Sequence, residues 1–62
     1  MEKITARITT AKNAGFPYAF ITADISWSDL AILKSKYEVT QGWNNKYLTG
    51  YSIMEMGYLI KL

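Results

Sequence analysis

At 62 residues, with no cysteine and no histidine, the chain has length for one domain, no disulfides and none of the usual nitrogen metal ligands. Half of it is apolar and its formal net charge is only +2. That composition is one of a folded chain rather than a disordered one, and it excludes an acidic nucleic-acid mimic. The seven scattered cations make a poor electrostatic footprint for nucleic acid.

Residues 2–14 read as a first helix. Ile4, Ile8 and Ala11 fall on one face at i, i+4, i+7 spacing, with Lys3, Arg7 and Lys12 off that stripe toward solvent. Gly15 is placed to take the left-handed position beyond the last turn, and Pro17 cannot continue a helix. Residues 18–23 (YAFITA) follow as a strand, rich in aromatic and β-branched side chains. Phe20 and Ile21 point to opposite faces, which suits a central strand with both faces covered.

The next signal is a helix start. Ser26 is an N-cap with Asp29 three residues on, and Ile25 with Leu30 matches a hydrophobic staple. This helix should run from Trp27 to about Lys36, with Leu30, Leu33 and Tyr37 inward and Lys34 and Lys36 at the negative end of its dipole. Residues 37–41 then read as a strand, 42–46 as a turn with asparagines tolerating positive φ, and Tyr47 to Met54 as the returning strand of a hairpin. Gly57 suggests a bulge or a second tight turn. Tyr58 to Leu62 is strand-like. The expected fold is α+β, in the order α-β-α-β-β. Two helices pack on one face of a small, mostly antiparallel sheet of three to four strands. The first strand should lie beside the returning strand of the hairpin.

The groups that carry chemistry are absent or scattered. Ser35 adjoins Lys34 and Lys36, but neighbouring helical residues point in different directions, and a nucleophile needs its base within reach. The five acids, Glu2, Asp24, Asp29, Glu38 and Glu55, form no convincing general acid–base pair and no oxygen-ligand loop for a metal. Gly15, Gly42, Gly50 and Gly57 form no phosphate-binding pattern. No catalytic residue, cofactor or metal is therefore expected. No apolar run approaches the ~20 residues of a membrane span, and MEKITARITT lacks the apolar core of a signal peptide. The expected compartment is the cytoplasm, with no membrane partner.

What remains is surface. Trp43, Asn44, Lys46, Tyr47 and Tyr51 gather around the expected hairpin, and Tyr47, Tyr51 and Ile53 share one side of its returning strand. Tyr, Trp and a neighbouring cation are what protein interfaces enrich. The same aromatics could line the inner face of the sheet, yet the chain has few residues with which to cover two faces. Trp27, at the first helical position and off the Leu30–Leu33 stripe, either caps the core edge or anchors a partner.

The initial helix ending AKNAGFPYAF, followed by SWSDLAILKSKYEV, is similar to short uncharacterised proteins encoded by tailed bacteriophages. That resemblance implies either an inhibitor or modulator of a host protein, acting in the host cytoplasm, or a small virion component. The first expectation is therefore a non-enzymatic protein-binding module using Trp43, Lys46, Tyr47, Tyr51 and Trp27. The alternative is a structural subunit that self-assembles as a homo-oligomer, with Tyr58 to Leu62 pairing edge to edge. A third reading is a single-stranded nucleic-acid binder that stacks bases on these aromatics, with Lys46, Lys34 and Lys36 on phosphates.

Overall fold

A computed structural model describes residues 2–62. Helix α1 spans Glu2–Asn13 and buries Ile8 and Ala11, with Ile4 half-buried against the core. Its end is a Schellman closure: Phe16 N–H donates to Ala11 O and Gly15 N–H to Lys12 O, with Gly15 at φ 83°. The chain reverses there because glycine takes the left-handed backbone without a Cβ penalty. Strand β1 (Tyr18–Thr22) follows. Helix α2 (Trp27–Lys36) starts on Ser26, whose Oγ accepts from Asp29 N–H, and buries Leu30 and Leu33. Strand β2 is Val39–Trp43, helix α3 is the single turn Lys46–Thr49, and strand β3 is Met56–Lys61.

The fold is α+β, with the order α-β-α-β-α-β. The sheet has the strand order β1-β3-β2, and both ladders are antiparallel. Ala19, Ile60 and Val39 lie in one row across it, so they share a face. On that face Ala19, Ile21 and Ile60 form the core with Ile8 and Ala11 of α1 and Leu33 of α2. Ile60 and Leu33 are the largest fully enclosed side chains. At roughly 25 cal/mol per Å² of apolar surface removed from water, these two helices and the sheet hold each other through that one layer.

Four sequence expectations change. β1 is not central. Its three buried residues, Ala19, Phe20 and Ile21, are covered on both faces while one edge lacks a strand neighbour, so burial on two faces had mimicked a central position. The central strand is β3. The hairpin is real, but the returning strand is Met56–Lys61 rather than Tyr47–Met54. Residues 46–49 form helix α3 and 50–55 run as irregular chain. Gly57 is neither bulge nor turn. It sits in the ladders opposite Thr22 and Gly42, where a Cβ would overlap the Ile21 carbonyl and the Phe20 ring. The C-terminal strand is also unavailable for edge pairing with a neighbour, since β3 is hydrogen-bonded on both sides. No helix among the described residues is long and apolar enough to cross a membrane.

Candidate functional site

The segment that replaces the expected strand is a closed loop. Asn44 N–H donates to Glu55 O at 2.9 Å, which extends the β2–β3 ladder by one rung and brings the ends together. Between these ends the chain is organised by side chains. Asn45 Oδ1 accepts from Tyr47 N–H at 2.9 Å and caps α3. Asn44 is 3% exposed. Its Nδ2 donates to the carbonyls of Tyr51 and Ile53, and its Oδ1 accepts from Thr49 Oγ1 at 2.6 Å. Gly50, at φ 71°, closes the turn. A loop of this size with its ends together, packed on its own side chains, is an Ω-type loop, a class that frequently carries function.

The loop has an inner and an outer side. Tyr51 turns inward: its ring stacks on Phe20 with centroids 5.5 Å apart, and the Arg7 guanidinium lies 4.9 Å above it. The loop exposes apolar side chains: Tyr47 is 79% exposed, Met54 75% and Ile53 56%. At its base the strand residues Trp43 (60%) and Met56 (43%) are exposed too, on the sheet face that carries Val39 and Ile60. Trp43 and Met56 face each other across the β2–β3 ladder. Tyr47 and Met54 line a common cleft of about 440 Å³, and the Lys46 ammonium lies 5.3 Å over the Tyr47 ring.

Of the residues singled out from sequence, Lys46 and Tyr47 are brought together on the loop, Trp43 stands at its base opposite Met56, and Asn44 is not at the surface but buried as the loop's clamp. Tyr51 is half-buried: its ring packs inward on Phe20, and it meets Tyr47 only as a wall of the same cleft, not through the strand alternation expected from sequence, which does not exist. Trp27 is 84% exposed at the start of α2. Thr22, Gly57 and Gly42 share one row, so α2 departs from the end of the sheet at which Trp43 and Met56 sit. Met54, Met56 and Ile53 extend the apolar surface beyond the aromatics. Their signal in the sequence was the run Ile53-Met54-Glu55-Met56, too apolar for an ordinary polar loop. Among the described residues no group of three His, Cys, Asp or Glu side chains is placed to hold a metal ion. Neither a protein-family model nor a curated protein nor a solved structure matches this sequence.

Proposed function

We propose that this protein is a non-enzymatic binding module that docks another protein on the outer side of its 44–55 loop. The observation that carries the reading is that this one loop leaves Tyr47, Ile53 and Met54 exposed, with Trp43 and Met56 exposed at its base. The core is already filled by Ile8, Ile21, Leu33 and Ile60, and the loop is held by Asn44, Thr49 and Gly50. Its outer side chains are therefore free to be polar as far as folding is concerned. Aromatic residues and methionine are enriched at protein interfaces, and flexible thioethers adapt to a partner's contour. Lys46 supplies a charged rim. In the phage setting that the sequence resembles, the partner is a host protein whose activity is modulated by contact.

The test compares bead-bound wild type with an Ile53→Ser, Met54→Ser double variant in a bacterial lysate, with circular dichroism as the folding control. A bound protein should be retained by the wild type and lost by the variant. Truncating a hot-spot side chain costs at least ~2 kcal/mol, or roughly 30-fold in affinity. Identical capture by both proteins, or none by the wild type, sinks the reading.

A further inference from the structure

We infer that this chain associates with a second copy of itself through the free edge of β2, joining two three-stranded sheets into one continuous sheet.

The register shows which backbone groups are free. Lys61 N–H bonds Glu38 O, and Asn44 N–H bonds Glu55 O. These are hydrogen-bonded pairs of the β2–β3 ladder, and such pairs recur at every second residue. Thr40 and Gly42 therefore also point their amides at β3. Val39, Gln41 and Trp43 point theirs away, toward an edge on which the sheet places no strand.

That edge is unguarded. Natural edge strands are blunted by lysine, proline, bulges or a covering element. Val39–Trp43 holds no charge and no proline, and its burial pattern leaves Thr40, Gln41 and Trp43 exposed.

The strand is also complementary to itself. A two-fold axis through Gln41 opposes Val39 to Trp43 of the second copy, Gln41 to its own counterpart, and Trp43 to Val39. These are the three residues whose amides point outward, so all of their groups would pair at once, giving about six hydrogen bonds at two per opposed pair. A register displaced by one residue would oppose outward amides to inward ones. The facing side chains match as well. Aromatic against β-branched is a favoured cross-strand combination, and Trp43, 60% exposed in the single chain, would cover Val39 of its neighbour. On the other face Thr40 meets Gly42, which has no side chain to obstruct it. Such an isologous contact closes on itself as a dimer and does not propagate.

The experiment is sedimentation velocity over a micromolar concentration series, read beside amide hydrogen exchange. The variants are Gln41→Lys and Met54→Ser. Gln41 is exposed, and its amide does not serve the β2–β3 ladder, so Gln41→Lys leaves the single chain intact while setting like charges opposite each other across the axis. The wild type should pass from monomer to dimer as concentration rises, with slowed exchange confined to the amides of Val39, Gln41 and Trp43. Gln41→Lys should weaken dimerisation at least about tenfold, and Met54→Ser should leave it unchanged. A wild type that stays monomeric overturns the inference, as does a dimer that Gln41→Lys does not weaken. A monomer that adds a different protein's extended segment at these same amides overturns it too. Trp43 borders both surfaces and is left untouched; because Met54→Ser alters only the loop and Gln41→Lys only the edge, failure of either reading leaves the other standing.

Discussion

The two edges of the sheet are treated in opposite ways. At β1 the outward amides belong to Tyr18, Phe20 and Thr22, since Leu62 N–H bonds Pro17 O and the alternation runs on from there. Pro17 stands at the entry to that strand, and Arg7 from α1 donates to the Phe20 carbonyl at 3.4 Å. The faces of the strand are closed as well, by the core on one side and Tyr51 on the other. At β2 the equivalent groups have no such cover. Two features thus cover β1: the Arg7 side chain of α1 at its edge and a loop folded over its outer face. Both are spent on one strand, and the consequence is that the apolar and hydrogen-bonding surface left over collects at β2 and the loop that follows it.

The sharpest way to break this asymmetry is to release the loop. Asn44→Ala would leave the half-buried Tyr51 and Ile53 carbonyls without their amide donor and take one acceptor from the Thr49 hydroxyl, which keeps Asn45 O and the Tyr51 N–H. The expected cost is on the order of 3 kcal/mol, a large fraction of the stability of so small a domain. Asn44→Asp tests the cause, because a carboxylate matches the amide in shape but donates nothing to the two carbonyls. Both should lower the urea midpoint by a similar amount, and both should speed amide exchange in β1 once Tyr51 no longer covers Phe20. A tolerated Asn44→Asp would show that shape rather than hydrogen bonding holds the loop.

This clamp marks the boundary of what the sequence reveals. Helices α1 and α2 and strand β1 announce themselves by neighbours: Gly15 followed by Pro17, Ser26 followed by Asp29, a compact run of aromatic and β-branched residues. The bounds of α2, Trp27–Lys36, follow from those local signals alone. The stretch from Tyr47 to Met54 has strand-like composition, and its true conformation depends on Asn44 reaching residues seven and nine positions away. No periodicity reports such a contact. The site divides along the same line. Trp43 and Tyr47 can be picked out as aromatics in excess of what the core can hold. The inward turn of Tyr51 against Phe20 needs the loop to be closed first.

A smaller effect is expected where the closed side is crowded by design. In Gly57→Ala the new methyl would meet the Ile21 carbonyl and the Phe20 ring. The carbonyl belongs to backbone held in the β1–β3 ladder and cannot easily move. Overpacking of this kind costs about 1–3 kcal/mol, and thermal unfolding followed by circular dichroism should show the loss. Arg7→Ala comes next. It removes the cation from above Tyr51 and one donor from the β1 edge. An exposed cation–π contact contributes about 0.5–1 kcal/mol, so the shift should be modest and accompanied by faster exchange near Phe20.

The smallest effect is the one with the opposite sign. Gly42 faces Gly57 across the β2–β3 ladder, but a Cβ on Gly42 would meet nothing within 4 Å. Its backbone is extended and needs no positive φ. Glycine inside a strand is disfavoured relative to alanine by roughly 0.5–1 kcal/mol through its greater loss of conformational freedom. Gly42→Ala should therefore raise the melting temperature slightly, while Gly57→Ala, at the facing position, lowers it. Two glycines opposite one another then respond in opposite directions, because one looks into the covered part of the sheet and the other onto its open side. If Gly42→Ala were as damaging as Gly57→Ala, the face over β2 would be filled, and the contrast between the two edges would not hold.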